Sequence, residues 1–207
     1  MFADREEAGR QLAAKLSNYR GTDAVILALP RGGVVVGEKI AQKLSIPLDI
    51  IAVRKIGHPN APEFALGAVD EHGTRLMNEA EVGSINPAWL AEETVRQIEE
   101  AKRRNRVYRG GKKHAHIEGK TAIIVDDGIA TGLTMRLAIK ALKKQKPERI
   151  IVAVPVSSAE AAAEILEEAD ELVVLEPPEE FLGAVGAHYI RFEQVEDAEV
   201  IRLLKQQ

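Results

Sequence analysis

The chain has 207 residues, of which 45% are hydrophobic and 29% are charged, as is typical of a globular domain that folds without disulfides or a structural metal. Cysteine is absent, which excludes a thiolate zinc site and a thiol nucleophile. The formal charge of −4 is too balanced for a protein whose whole surface binds nucleic acid.

The N-terminal residues predict a polar helix. Residues 4–18 have apolar side chains at helical spacing, and Asp4 is the predicted N-cap. This beginning is unlike a signal peptide, and no apolar run in the sequence is long enough to cross a membrane. We therefore expect a cytoplasmic protein that makes no membrane contact.

Short apolar runs then alternate with amphipathic stretches along most of the chain. Continuous apolar runs are typical of strands that are covered on both faces. Their alternation with helices predicts an α/β fold in which a mostly parallel central sheet carries helices on both faces. The predicted elements after the first helix are strands over 24–29, 48–53, 121–125, 149–154 and 171–175, with helices over 33–44, 133–144 and 159–168.

An insertion of about residues 57–119 interrupts this alternation. It contains a predicted hairpin that turns at 71–73, followed by a long helix with Asn86 as N-cap and Pro87 at its first position. The insertion lacks enough apolar positions for a core of its own. We therefore interpret residues 1–207 as a single domain.

The most informative segment is IIVDDGIATG, residues 123–132. Two adjacent carboxylates, Asp126 and Asp127, follow a buried strand, and a loop of small residues leads into a helix. Ligands of parallel α/β sheets bind at the carboxyl ends of strands, and backbone N–H groups at a helix N-terminus bind anions. Carboxylates repel phosphate but accept hydrogen bonds from hydroxyls, so this pair suits a ribose. Asp-Asp-Gly alone is also common as a simple turn, so the full pattern carries the interpretation.

This segment resembles the motif of the type I phosphoribosyltransferases, which use phosphoribosyl pyrophosphate (PRPP). The resemblance implies that Asp126 and Asp127 hold the ribose hydroxyls and, through water molecules, a Mg²⁺ cofactor. It also implies that the following loop holds the 5′-phosphate. The residues of that loop are Gly128, Ile129, Ala130, Thr131, Gly132 and Thr134.

A second candidate segment follows the first buried strand. Arg31 offers a planar guanidinium to phosphate oxygens, and Gly32 and Gly33 permit close backbone approach to a ligand. The resemblance implies that this loop binds pyrophosphate and that Arg31 stabilises it as the leaving group. In isolation, the same residues would be a Gly-Gly turn beside an exposed arginine.

A basic pair, Arg54 and Lys55, is predicted at the end of the second strand. The resemblance implies that Arg54 binds PRPP, that Lys55 takes part in catalysis, and that both lead into a mobile loop that closes over PRPP. His58 would lie in that loop. A solvated loop end is the alternative interpretation.

Residues 176–195 are predicted to form a small C-terminal hood. By resemblance to the purine-salvage enzymes, Phe181 would stack on the acceptor base, and His188 lies where the 6-oxopurine enzymes carry an acid. An ordinary aromatic core is an equally good interpretation. Ala130 replaces the Asp of the 6-oxopurine enzymes, so the resemblance leaves the acceptor open.

The motifs at 30–33, 54–57 and 123–132 most resemble a bacterial and archaeal group of predicted phosphoribosyltransferases with no assigned acceptor. The resemblance implies transfer of the phosphoribosyl group from PRPP to a nitrogenous acceptor by a homodimer. The alternative is a PRPP-binding regulator that contacts nucleic acid through the insertion, where residues 102–113 hold seven cations and no acid. A solvated helix face is the simplest interpretation of that basic run.

Overall fold

The computed structural model describes residues 1–206, apart from the side chain of Glu63. In chain order its elements are α1 (Arg5–Lys15), β1 (Val25–Ala28), α2 (Gly32–Leu44), β2 (Leu48–Ile50), β3 (Val53–His58), β4 (Ala61–Asp70), β5 (Arg75–Met77), α3 (Glu79–Val82), α4 (Pro87–Arg109), β6 (Thr121–Val125), α5 (Leu133–Lys143), β7 (Arg149–Val154), α6 (Ala159–Glu168), β8 (Glu171–Val174) and α7 (Asp197–Lys205). Among these residues, no helix has the length and apolar character that crossing a membrane requires.

The central sheet has five parallel strands in the order β2-β1-β6-β7-β8. Its three inner strands, β1, β6 and β7, are buried on both faces. In β6, Ile123 and Val125 pack toward α1, α2 and α7, while Ala122 and Ile124 pack toward α5 and α6. The predicted α/β fold with a parallel sheet between two helical layers is therefore confirmed.

The strand order reverses between β1 and β6. The chain moves from β1 outward to β2, and after the insertion it returns to β6 on the other side of β1. The carboxyl ends of two such strands border a crevice, because their following connections leave toward opposite faces of the sheet. The loops after β1 and β6 carry the predicted pyrophosphate and ribose residues, and they meet at this switch point.

The insertion forms a three-stranded antiparallel sheet, β3-β4-β5, and the long helix α4. The side chain of Asp70 accepts hydrogen bonds from the N–H groups of His72 and Thr74, which stabilises the predicted hairpin turn. Asn86 caps α4 as predicted. A small apolar cluster around Ile56 and three other buried residues, with Trp89 packed against it, holds these elements together.

One predicted boundary differs from the structure. The strand predicted over 48–53 ends at Ile50, and Arg54 and Lys55 lie within β3. Arg54 pairs with Val69 and Lys55 with Ala68 of β4, so the basic pair lies within a strand and not at the end of one.

Candidate functional site

The loops after β1 and β6 touch at the switch point. Gly32 has no room for a side chain, since a Cβ atom there would lie 1.8 Å from Oδ2 of Asp127. A Cβ atom on Gly33 would lie 2.9 Å from the Cα atom of Asp126. The preceding peptide bond, between Pro30 and Arg31, is cis. The structure thus brings two of the predicted segments together, and both glycines are required by the close approach.

The two carboxylates at the end of β6 have distinct partners. Oδ1 of Asp126 accepts a hydrogen bond from the N–H of Asp127 at 2.8 Å, and Oδ2 of Asp127 accepts one from Nε of Arg5 at 2.7 Å. Burial and the neighbouring charge of Asp127 raise the pKa of Asp126. The hydroxyl of Tyr189 also donates to the carbonyl oxygen of Asp127 at 2.6 Å. One oxygen of each carboxylate is therefore occupied by the protein itself.

The donor set at this point suits a partly hydrated cation. No cluster of three or more His, Asp or Glu side chains among the described residues could hold a metal ion. Mg²⁺, however, usually keeps several waters and takes one or two carboxylates together with substrate oxygens. Asp126 and Asp127 bring two adjacent carboxylates to this point, so the pair fits such an ion.

The predicted phosphate loop lines one wall of a cleft of about 460 Å³. Gly132, at φ 74°, precedes the first turn of α5 and is its N-cap. The N–H groups of Thr131 and Gly132 donate to no other described residue, and they lie where the helix dipole favours an anion. The loop is fixed from behind, because the Ser158 hydroxyl donates to the carbonyl oxygen of Ala130 at 2.7 Å. The loop residues that face the cleft are Gly128, Ile129, Ala130, Thr131, Gly132 and Thr134.

Arginines surround the loop after β1. Arg31 lies 3.5 Å from a carboxylate oxygen of Asp197, and Arg104 donates to the carbonyl oxygen of Pro30 at 3.3 Å. Arg54 donates to the side-chain oxygen of Gln97 and forms no ion pair with a described residue. Burial and the positive charge of Arg104 lower the pKa of Arg54. This concentration of partly uncompensated positive charge is suited to a polyanion.

Three of the seven cations in the basic run of the insertion are engaged in contacts inside the protein, and the other four, Lys102, Arg106, Lys112 and Lys113, are exposed. Arg103 forms ion pairs with Glu100 and Asp197, and Arg104 also pairs with Glu100. The side chain of Arg109 is 8% exposed and binds the carboxylate of Asp49. The interpretation of the run as a solvated helix face therefore does not hold for Arg104 and Arg109, whereas Lys102 and Arg106 on the same helix are exposed, as it expects.

The hood places its predicted residues behind the cleft wall. His188 is buried, its Nδ1 bonds the carboxylate of Glu176, and its Nε2 accepts the N–H of Leu182 at 3.0 Å. Phe181 stacks against the His188 ring with centroids 5.4 Å apart. The hood residues that line the cleft are Gly183, Ala184, Val185, Gly186 and Phe192, with Lys55 opposite in the lining. The sequence predicts that Phe181 and His188 contact the acceptor. In the structure, both side chains instead pack into the core of the hood.

Several residues of the site had no signal in the sequence. Arg5 stands in an ordinary polar helix start, and Arg104 stands within a run of similar cations. Asp197 likewise belongs to no motif, whereas Tyr189 is part of the aromatic spacing of the predicted hood. Contacts such as Arg5 to Asp127 join residues 122 positions apart, and only the fold brings them together.

The chain is similar to known proteins over nearly its whole length. A family model described as phosphoribosyl transferase domain matches residues 3–189. A provisionally named phosphoribosyl transferase of Mycobacterium tuberculosis, from strains CDC 1551 and H37Rv, is 40% identical over 206 residues, which are 99% of this chain and 46% of the relative. The chain therefore spans less than half the length of these relatives.

Solved structures agree with this similarity. The crystal structure of TT1426 from Thermus thermophilus is 40% identical, with a TM-score of 0.80, and the match covers 99% of this chain and 98% of that one. A hypoxanthine phosphoribosyltransferase from Staphylococcus aureus is 15% identical with a TM-score of 0.50, and the match covers 86% of this chain and 75% of that one. The second likeness concerns the fold alone.

Proposed function

Because the chain belongs to the phosphoribosyl transferase family, we propose that it transfers the phosphoribosyl group of PRPP to a nitrogenous acceptor and releases pyrophosphate. The observation that carries this proposal is the contact of Gly32 with the Asp127 carboxylate at the switch point. That contact sets a carboxylate pair for a ribose beside a glycine loop for pyrophosphate. The phosphate loop lies immediately after the carboxylates in the chain, so all three parts of PRPP have a place.

Each part of PRPP would meet groups of matching chemistry. The ribose hydroxyls would donate to Asp126 and Asp127, since carboxylates only accept hydrogen bonds. The 5′-phosphate would bind the N–H groups of Thr131 and Gly132 and the hydroxyls of Thr131 and Thr134 at the start of α5.

The pyrophosphate would lie against the N–H groups of Gly32 and Gly33 within reach of three basic side chains. Arg31 and Arg54 can present planar guanidinium groups to its oxygens, and Lys55 lines the cleft between the hood and the phosphate loop. These side chains would bind pyrophosphate more tightly as its charge increases during the reaction.

The reaction we propose breaks the bond between ribose C1 and the pyrophosphate oxygen. The electron pair of that bond leaves with pyrophosphate, and a nitrogen lone pair of the acceptor forms the new bond to C1 with inversion. Mg²⁺, when bound, would neutralise part of the pyrophosphate charge, and Asp126 and Asp127 would hold it through water. Most of the rate enhancement would come from positioning and charge stabilisation, so the site needs no protein nucleophile.

A pyrophosphate-release assay tests this proposal. The purified protein is incubated with PRPP, Mg²⁺ and a panel of purines, pyrimidines and other nitrogen acceptors. We expect release with one class of acceptor, and we expect Asp126→Asn with Asp127→Asn to abolish it. Asp23→Asn is the matched control, because Asp23 is exposed and precedes β1 at the opposite edge of the sheet. Full activity of the double variant would contradict the assignment of the ribose site.

The alternative is a PRPP-binding regulator that contacts nucleic acid through its insertion. Arg103, Arg104 and Arg109 are engaged in internal contacts, so this alternative would depend on the exposed cations of the run, Lys102, Arg106, Lys112 and Lys113. The same assay separates the two. A regulator would bind PRPP without releasing pyrophosphate with any acceptor, and its affinity for nucleic acid would fall steeply with salt.

The acceptor and the assembly belong to the same proposal. Small residues, Gly183–Gly186, line the cleft from the hood, so we propose that backbone groups and Val185 contact the acceptor. We also propose a cytoplasmic homodimer, which the resemblance to the family implies. Light scattering on the purified protein tests the dimer.

A further inference from the structure

Arg5 joins three separate parts of the site. Its Nε donates to Oδ2 of Asp127 at 2.7 Å, and its Nη1 donates to the carbonyl oxygen of Glu193 in the hood at 2.8 Å. Its guanidinium carbon lies 3.8 Å from the centroid of the Phe192 ring. A Cβ atom on Gly32 would lie 2.9 Å from Arg5 Nε, so the pyrophosphate loop is in contact as well. The Arg5 side chain is only 11% exposed.

The hood is connected to the Asp127 residue by a second route. The ring of Phe192 stacks with Tyr189, with centroids 4.9 Å apart, and the Tyr189 hydroxyl donates to the carbonyl oxygen of Asp127. The hood therefore contacts Asp127 through its carboxylate, by way of Arg5, and through its backbone, by way of Tyr189. Phe192 also lines the cleft, so these contacts connect the cleft wall to the ribose site.

We infer that Arg5 is a positioning residue that couples the hood to the ribose-binding carboxylate, and this inference rests on the proposed function. Two parallel constraints, a charge-assisted hydrogen bond and a planar contact with an aromatic ring, hold the guanidinium in one orientation. A carboxylate with one oxygen held in this way keeps its second oxygen ready for a ligand. A ligand in the ribose site then binds without first ordering Asp127 or the hood, which lowers the entropic cost of binding.

This role predicts different effects on the binding of the ribose part and of the pyrophosphate part of PRPP. Arg5 donates to the carboxylate of Asp127, whereas it only packs beside Gly32 and forms no hydrogen bond or ion pair with a described residue that we place at pyrophosphate. The loss of Arg5 should therefore weaken ligands that contain ribose and leave pyrophosphate binding nearly unchanged. A merely structural salt bridge would instead lower stability and affect all ligands alike.

Calorimetric titration of three ligands tests the inference, with ribose 5-phosphate, PRPP and pyrophosphate each titrated in the presence of Mg²⁺. In Arg5→Met, we expect the dissociation constants of ribose 5-phosphate and PRPP to rise roughly tenfold, as the loss of one charge-assisted hydrogen bond implies. The dissociation constant of pyrophosphate should stay within about twofold. Arg10→Met is the matched control, because Arg10 is on the same helix, is 58% exposed and pairs only with Glu6 among the described residues.

Arg5→Lys provides the second variant. Lysine can place a charge near Asp127, but it cannot form the planar contact with Phe192 and donate to Glu193 at the same time. We expect Arg5→Lys to restore ribose 5-phosphate affinity to within roughly threefold of the wild type. Hydrogen exchange over residues 181–193 should still be faster than in the wild type. Circular dichroism checks that each variant is folded.

The outcomes distinguish this inference from the proposed function. If the wild type binds neither PRPP nor ribose 5-phosphate, the proposed function is wrong and the role of Arg5 falls with it. If the wild type binds PRPP and folded Arg5→Met binds it equally well, only the inference about Arg5 is overturned. The same holds if Arg5→Met weakens the binding of pyrophosphate as much as the binding of ribose 5-phosphate. Failure of Arg5→Lys to restore any affinity would also overturn the role of the Asp127 contact.

Discussion

The carboxylates on the ribose side and on the pyrophosphate side of the site differ in how well neighbouring groups compensate their charge. On the ribose side, burial and the charge of Asp127 raise the pKa of Asp126, so this carboxylate is poorly compensated. On the pyrophosphate side, hydrogen bonds from Arg103 and Arg104 lower the pKa of Glu100 to about 2. The negative charge of Glu100 is thus compensated by these two arginines. A charge that is compensated within the protein, such as that of Glu100, supports the fold, whereas a poorly compensated charge, such as that of Asp126, remains available to a ligand.

Arg54 extends the comparison to positive charge. Burial and the neighbouring Arg104 lower the pKa of Arg54, whereas a hydrogen bond to Glu100 raises the pKa of Arg103. Asp126 and Arg54 are therefore the poorly compensated members, one on each side of the contact at Gly32. A perturbed pKa of this kind is common at functional sites, because the missing compensation is supplied by the ligand.

The largest expected effect comes from breaking the contact between the two sides. In Gly32→Ala, the new methyl group would overlap Oδ2 of Asp127 and force the loops apart. We expect PRPP affinity and pyrophosphate release to fall by about 100-fold or more, since displacement by about 1 Å has effects of that order. Gly83→Ala is the control, because a Cβ atom there meets nothing within 4 Å. Unchanged PRPP binding in Gly32→Ala would show that the contact is unimportant.

A smaller effect should be confined to the pyrophosphate side. Arg104→Met removes the hydrogen bond to the carbonyl oxygen of Pro30 and one of the positive charges near Arg54. We expect the dissociation constant of pyrophosphate to rise roughly tenfold, while that of ribose 5-phosphate changes little. Titration of both ligands measures this difference. Lys102→Met on the same helix should change neither, and equal losses of both ligands in Arg104→Met would contradict the separation of the two sides.

The same distinction explains what the sequence could predict. The central sheet is evident from continuous apolar runs, and the residues of 126–134 are predictable because they are contiguous and their spacing is set by one strand, one loop and one helix. The pyrophosphate side draws on Arg31, Arg54, Arg104 and Asp197, which are far apart in sequence. Local patterns do not specify such contacts.

Two of the differences from the sequence predictions have the same cause. The apolar run that ends at Val53 predicts Arg54 at a strand end, but pairing with β4 places it inside a strand. In the hood, the aromatic spacing is visible in the sequence, but it cannot indicate that His188 is buried against Glu176 while Gly183–Gly186 line the cleft. In each case a partner remote in sequence decides the orientation.

Removing the poorly compensated charge should stabilise the folded protein. The pKa of Asp126 is above its ordinary value of 3.8 in the folded state, so unfolding releases a proton and stability falls as the pH rises through that raised pKa. Asp126→Asn removes this cost. In the absence of ligand and Mg²⁺, we expect a gain of about 1–2 kcal/mol at pH 7, or roughly 4 °C in Tm, which disappears near pH 3. A lower Tm than that of Asp23→Asn would contradict the uncompensated charge.

Removing the matched charge should have the opposite and smaller effect. Since the pKa of Glu100 falls from 4.5 to about 2 on folding, its ionised form stabilises the protein above pH 4.5, and this contribution is lost as the pH falls toward 2. Its partner Arg103 is partly exposed, so solvent screening limits the contribution. We expect Glu100→Gln to lower Tm by roughly 2 °C at pH 7, corresponding to about 0.5–1 kcal/mol, and to match the wild type near pH 2.

The control for this last prediction is Glu99→Gln, because Glu99 is 65% exposed and pairs only with Lys102 among the described residues. Thermal unfolding of both variants from pH 2 to pH 7 should separate them. If Glu100→Gln is as stable as Glu99→Gln throughout, Glu100 is not a supporting charge, and Arg103 and Arg104 would count with Arg54 as cations available to the ligand. A loss of stability that depends on pH in the expected direction would instead assign Arg103 and Arg104 to the support of the fold, and would leave Arg54, which forms no ion pair with a described residue, as the cation that a ligand compensates.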